Sequence, residues 1–293
     1  MIRLETVSRC LLCGAAGRPA YAGLRDRLFG VEGAWALARC PACGLVWMDP
    51  RPTREEIGKV YRGYYTHGAG KEMPRLPGLS LVGRLLGALP AVRDAASLRV
   101  MNLTGPPGSL LDVGCGDGEF LARMRDLGWR VSGVEPDAEA AKRAWTRHGL
   151  SVHASLADVP GEFDAVTHAH VVEHVHDPVG LLRECRRLLR PGGRLVAVTP
   201  NLRSLGHFVF RGDWLGLDPP RHLTLFTRQT LVRCALAAGF ADPSVRSTAR
   251  WARSAWVNSG GIRRRTLAGG IVFQAVEHLL PGAGEELVLE CAR

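Results

Sequence analysis

Residues 108–118, Gly-Ser-Leu-Leu-Asp-Val-Gly-Cys-Gly-Asp-Gly, constrain this chain more than any other stretch. Residues 109–113 are an apolar run followed at once by glycines, which predicts a short buried strand and a turn. Asp117, Glu119 and Phe120 open a helix to about Leu127, and Gly128 stops it. Gly114, Gly116 and Gly118 alternate with single residues, so the backbone can turn sharply and a ligand can approach it closely. The helix N-terminus behind them offers free N–H groups to polar ligand atoms. The spacing is not the dinucleotide pattern G-x-G-x-x-G, because position 119 is Glu119. It is D-x-G-x-G-x-G, running from Asp112 to Gly118.

The pattern of strand, turn and helix then repeats, which predicts an α/β fold. A second strand covers 130–135 and ends on Glu135, at the strand edge where ligands bind in open α/β sheets. A carboxylate there can accept both hydroxyl protons of a ribose. Pro136 and Asp137 start a helix that ends at His148-Gly149. A third strand is expected at 150–153. The loop after it, with Ser155 and Leu156, borders the base of a bound nucleoside by position. Strands four and five are expected at 163–169 and 194–199, joined by a helix that Asp177-Pro178 caps. Residues 202–226 form a long irregular stretch holding Trp214, Asp218, Arg221 and His222; so long a loop in a compact domain is usually functional. Thr227 caps a further helix, a sixth strand covers 243–249, 250–283 is an insertion, and 286–291 is the last strand.

Upstream, Cys10-x-x-Cys13-Gly14 and Cys40-x-x-Cys43-Gly44 form two knuckles. Four thiolates at this spacing predict a zinc ribbon, with strands at 21–29 and 34–39 and a closed, structural metal site. Thr53 and Glu56 make a capping-box pattern for a helix that carries Tyr61, Tyr64 and Tyr65. Tyr65 is the candidate to close over a cofactor; packing is the plainer role of all three. Residues 67–78 read as a linker and 80–103 as a helix over the sheet edge. The expected organisation is a ribbon (1–50), a helical covering segment (51–104) and the α/β domain (105–293).

The net charge is +10, but only Lys59, Lys71 and Lys142 are lysines among 38 basic residues, and the arginines are scattered. A solvated surface accounts for most of them better than a nucleic-acid footprint. The start, Met1-Ile2-Arg3-Leu4-Glu5, has no signal-like apolar region. The apolar runs at 79–92 and 267–283 are broken by Arg84 and by Glu277-His278, so no transmembrane span is expected. A cytoplasmic protein is the expectation, with its eight cysteines serving metal binding or burial.

The segments "LLDVGCGDG", "VSGVEPD", "FDAVTHAHVVEHVHDP", "LLRPGGRLVAVTPN" and "AAGF" resemble, in order and spacing, the class I S-adenosylmethionine-dependent methyltransferases over about 105–292. The four cysteines, "PRPT" and "W…DPPRHLTLFT" resemble a bacterial group in which a ribbon precedes that domain. The resemblance implies a Rossmann-like, seven-stranded, mostly parallel sheet with the last strand antiparallel. It implies S-adenosylmethionine as cofactor beside the structural zinc. Asp112, Gly114, Cys115, Gly116 and Gly118 would line its methionine end. Glu135 with Pro136 would hold the ribose, Ser155 or Leu156 would border the adenine, and His170 and Tyr65 would complete the pocket.

The implied reaction is in-line displacement at the methyl carbon by an O-, N- or C-nucleophile. His222 is the first candidate for the base, with His174 and His170 behind it. His170, Glu173 and His174 have i, i+3, i+4 spacing and resemble the metal-binding E-x-x-E-H of ubiquinone-type O-methyltransferases. Here His170 stands in place of the first glutamate, and Glu173 and His174 are read as shaping the pocket. Asn201, Trp214 and Arg221 are the candidate acceptor contacts. The expected acceptor is a small molecule or glycan precursor. RNA is the second reading, weakened by a ribbon without interleaved basic and aromatic residues. A cofactor-binding scaffold without turnover is the third.

Overall fold

The computed structural model describes residues 2–61, 103, 105–260, 264–276 and 279–293. Six strands build the main sheet, in the order β11-β12-β9-β8-β6-β7. These strands are β6 (Ser109–Val113), β7 (Arg130–Val134), β8 (Phe163–Ala169), β9 (Leu189–Pro200), β11 (Ala241–Thr248) and β12 (Glu286–Ala292). β6 pairs in parallel with β7 and β8, and β8 with β9. β12 runs antiparallel to both β9 and β11. The last strand is therefore reversed, as the resemblance implies.

The strand expected at 150–153 contracts to one parallel bridge, Val134 to His153. Leu150 turns into the core beside Gly118, and Ser155 caps a short 3-10 turn at Leu156–Asp158. The chain thus leaves the extended conformation on both sides of His153, and that bridge holds the seventh position of the sheet.

Burial on both faces explains the near-continuous apolar strands. Leu111, Val113, Val166 and Leu195 pack toward α3 (Pro178–Leu188) and α5 (Arg228–Ala237). Leu110, Ala165, Val196 and Val198 pack toward α1 (Glu119–Asp126) and α2 (Ala138–His148). After β9 comes α4 (Leu205–Phe210). The insertion forms α6 (Ala252–Gly260) and α7 (Arg264–Val276), with the Trp256 and Phe273 rings stacked at 6.0 Å.

The N-terminal sheet has the order β10-β4-β3-β2, from β2 (Arg18–Leu24), β3 (Trp35–Arg39), β4 (Val46–Met48) and β10 (Thr224–Leu225). The fourth strand comes from the long 202–226 stretch, whose composition predicts irregular chain throughout. β1 (Leu4–Glu5) pairs with β5 (Arg51–Pro52), and Arg51 reaches across to the His176 carbonyl. The expected helix at Thr53 is instead a 3-10 turn at Ile57–Tyr61, because the Glu56 side chain accepts from Lys59 and the Arg3 N–H rather than folding back on Thr53. Tyr64, Tyr65 and the helix expected at 80–103 lie outside the described residues.

Arg221 joins the two sheets. It is fully buried, and its guanidinium donates to both carboxylate oxygens of Asp26 at 2.8 Å and to Asp218 at 2.6–3.1 Å. Asp26 also accepts from the N–H groups of Leu28, Phe29 and Val31, closing the turn of the β2–β3 hairpin. Removing the guanidinium leaves two carboxylates buried without their cation. We expect Arg221→Met to lower unfolding free energy by about 3–5 kcal/mol, read by urea denaturation.

Candidate active site

The glycine loop follows β6 directly and is held by backbone bonds from Gly114 and Cys115 to the Val134 carbonyl. Gly116 has φ +58°, and a Cβ placed on it meets nothing within 4 Å. A side chain there would project into the open space over the strand ends. Gly114 is obligatory for another reason: its Cβ would lie 2.5 Å from a Val171 methyl. Glu135 directly follows β7 and is buried beside this loop, with Oε2 accepting from the Gly116 N–H and Oε1 from the Asp137 N–H, both at 2.9 Å. Asp137 caps α2 through the Ala140 N–H, so Pro136 and Asp137 fix the direction of the carboxylate. Asp112 is buried under the loop and accepts from the Thr167 hydroxyl at 2.7 Å. Cys115 is buried, and burial pushes its thiol well above its ordinary value. Ser155 is spent on the 3-10 cap, and Leu156 packs against the core. An adenosyl group fits this cradle: a carboxylate at the strand edge, free space over Gly116 and a helix N-terminus behind it.

A second group of polar side chains gathers at the ends of β8, β9 and β12. His170 follows β8 at φ +54°, a conformation unusual for a side-chain-bearing residue. Its ring bridges two buried carboxylates, Nδ1 to Glu173 at 3.2 Å and Nε2 to Glu286 at 2.8 Å. Burial alone would lower its pKa, but the two carboxylates raise it to about 9. Glu286 also accepts from Arg250, and Glu173 from the Thr199 hydroxyl. Despite its burial, Glu173 is held near 2 by His170 and the neighbouring imidazoles.

His174 turns away from His170, toward Tyr61 and His222. The two imidazoles meet edge to face with centroids 4.7 Å apart, and the Tyr61 hydroxyl lies 2.9 Å from His174 Nδ1. Burial lowers both imidazoles to about 4, so both are neutral near pH 7. The His222 Nδ1–H donates to the Gly216 carbonyl, which fixes the tautomer and leaves the lone pair on Nε2. The three candidate bases therefore divide into one imidazolium and two neutral rings.

The candidate acceptor residues occupy interior positions. Arg221 is committed to the two aspartates described above. Trp214 is buried and donates from Nε1 to Glu285, which also accepts from Trp256 and the Gly206 N–H. Asn201 is buried and pins the 282–284 turn by donating to the Gly282 and Gly284 carbonyls. Thr167, Thr199, Glu285 and Glu286 were missed by sequence reasoning. A pair of glutamates opening an apolar strand was the available signal, because charge in such a run has to find a partner.

The four N-terminal cysteine sulfurs all lie within 4.8 Å of one another, with Cys10–Cys43 and Cys13–Cys40 at 3.4 Å. Tetrahedral zinc thiolates are about 3.8 Å apart, so the donor set fits a structural zinc. The N–H groups of Leu12 and Cys43 point at Cys10 and Cys40 sulfur, as thiolate ligands require. Among the described residues no helix is long and apolar enough to cross a membrane.

The fold and the glycine cradle together define a Rossmann-like nucleoside-binding protein. Residues 89–245, more than half of the chain, match the family described as "Methyltransferase domain", and the chain belongs to that family. It is 41% identical over 128 residues to a ubiquinone biosynthesis O-methyltransferase of Xanthomonas oryzae, covering 40% of this chain and 52% of that one. It is 34% identical over 170 residues to the Caulobacter protein of the same name, covering 50% and 67%. The chain spans about half the length of the first of these relatives. Among solved structures, an Archaeoglobus fulgidus SAM-dependent methyltransferase matches with a TM-score of 0.49 at 20% identity, over 73% of this chain and 98% of that one.

Burial raises the Asp112 carboxyl from 3.8 to about 7 in spite of the Thr167 hydroxyl. A raised native pKa contributes stability below the unfolded value, and that contribution is lost as pH climbs through the native one. Asp112→Asn removes the charge that must be buried above this range. The variant should gain on the parent by about 2 kcal/mol between about pH 5 and pH 8, measured by urea denaturation at each pH.

Proposed function

We propose that the protein transfers the methyl group of S-adenosylmethionine to a small-molecule or glycan-precursor acceptor. The observation that carries this reading is the cradle of Gly116 and Glu135 beside the Glu173–His174–His222 group, whose Glu173 and His222 are buried. Asp112 and the loop from Gly114 to Gly118 flank the methionine end, Glu135 accepts from the ribose, and Ser155 and Leu156 border the adenine. The sulfonium is already a good leaving group, so the chain's own task is to orient the acceptor in line with the methyl carbon and take its proton. His222 suits that task because it is neutral, has its proton fixed on Nδ1, and carries its lone pair on Nε2 next to a permanent carboxylate. His170, held as an imidazolium, does not. An oxygen acceptor is favoured by the stretch shared with relatives named as ubiquinone biosynthesis O-methyltransferases. The buried Trp214, Asn201 and Arg221 set the shape of the acceptor space from behind its wall.

Two measurements test the reading. Gly116→Val fills the open space over the loop and strains a left-handed position, so cofactor affinity should fall by more than about a hundredfold in calorimetry while the ribbon keeps its zinc. Normal affinity in that variant contradicts the cradle assignment. Methyl-labelled cofactor with a fractionated cell extract should place label in the small-molecule or glycan pool. Label in RNA instead would make the ribbon a recognition module, and tight binding with no label in any fraction would favour the scaffold.

A further inference from the structure

Arginines that are scattered along the sequence meet at one place beside the ribbon. Arg18 on β2 and Arg39 on β3 stand directly opposite each other in the antiparallel register. Like charges so placed, roughly 5 Å apart at Cβ, repel and destabilise the pair unless an anion lies between them. Strand alternation puts Arg39 and Val46 on the face that Leu37 and Met48 bury, where that face opens to solvent. A hollow of 440 Å³ lies over this end, and Arg203, from the chain after β9, lines it as well. Its described lining holds three arginines and no carboxylate. No ion pair or side-chain hydrogen bond among the described residues engages any of the three guanidiniums. Tyr21 and His207 complete the hollow. The His207 Nδ1–H donates to the Leu202 carbonyl at 2.5 Å, so the Tyr21 hydroxyl donates to Nε2 at 2.7 Å. Burial holds the imidazole below its ordinary pKa, so it adds no charge near pH 7. The two rings, 6.0 Å apart, offer an uncharged aromatic surface beside the three cations.

We propose that Arg18, Arg39 and Arg203 form a binding site for the diphosphate group of a small molecule. One guanidinium fork satisfies a carboxylate; a diphosphate carries about three negative charges on two tetrahedral centres and can meet three forks. The volume is that of a small-molecule site rather than a track along a polymer. The rest of the ligand would lie against Tyr21 and His207. The inference goes beyond the methyl-transfer reading and does not rest on it. A diphosphate bound there ties β2 and β3 of the ribbon to the chain leaving β9, because the three cations come from both.

The test is a calorimetric titration of the zinc-loaded full chain with inorganic pyrophosphate. We expect one site per chain, weakened more than about tenfold in Arg18→Gln and in Arg203→Gln. Both side chains are exposed, so neither variant disturbs a core, and thermal unfolding and zinc content confirm folding. Arg130→Gln, on β7 three strands from β9, should leave the affinity unchanged. Without ligand, Arg18→Gln should unfold at a higher temperature than the parent, and pyrophosphate should raise the parent's midpoint more than the variant's. No binding at millimolar pyrophosphate overturns the proposal. Equal weakening in all three variants overturns it in favour of the general positive field, and heat that tracks loss of zinc overturns it in favour of chelation. Uridine diphosphate, which brings no adenine for the cradle, distinguishes the sources: tighter binding than pyrophosphate identifies a nucleotide, weaker binding the free diphosphate, and either supports the site. Single-stranded RNA that displaces pyrophosphate at more than about tenfold lower concentration assigns the arginines to nucleic acid and overturns it. Saturating S-adenosylhomocysteine should leave pyrophosphate affinity unchanged; displacement puts the anion in the cradle and overturns the proposal. Failure of S-adenosylhomocysteine itself to bind sinks the methyl-transfer reading and leaves the diphosphate site standing.

Discussion

The buried fork of Arg221 is the contact on which the arrangement depends. A guanidinium taken fully out of water is tolerable only with compensating charge and complete hydrogen bonding. Here two carboxylates supply both: Asp26 from the N-terminal hairpin and Asp218 from the 202–226 stretch. Asp218 sits four residues before His222 and within 3.9 Å of its Nε2. The ion cluster that docks the ribbon is thus continuous with the group proposed to act on the acceptor.

The same stretch reaches the strand edge by main-chain bonds. The N–H groups of Leu223 and Thr224 both donate to the Glu173 carbonyl, while Met48 donates to the Leu223 carbonyl. Glu173 therefore has its backbone held by the 202–226 stretch and its side chain held by His170 and Thr199. A residue fixed at both ends loses little further freedom when a ligand arrives, which is the condition for a preorganised site.

What the sequence disclosed follows from how local each signal is. The glycine loop, the strands around it and the capping residues Asp137, Asp177 and Thr227 are set by neighbours a few residues away, and the structure places all of them as read. The helix expected at Thr53 failed because Glu56 found Lys59 and the Arg3 backbone, partners that no capping pattern weighs. The strand at 150–153 shrank because Leu150 and Ser155 were claimed by core and cap. Arg221 and Trp214 were polar and amphipathic residues in a long loop, which suits a ligand contact and a buried tie equally well. Only the positions of Asp26, 195 residues from Arg221, and of Glu285, 71 residues from Trp214, decide between them. His222 joining Glu173 and His174 is of the same kind, since no spacing rule links positions so far apart.

The ribbon's sheet is completed by residues that leave the ribosome late. The two cysteine knuckles and the first three strands are available once residue 48 has emerged, yet their fourth strand is Thr224–Leu225 and the cation for Asp26 is Arg221. At ordinary rates of synthesis this gap is roughly ten to thirty seconds. During that interval the free edge of Val46–Met48, with apolar side chains that end fully buried, has no strand beside it. Early metal loading at the knuckles would then act as a holding device, keeping a half-finished sheet out of intermolecular pairing until the C-terminal half arrives to close it.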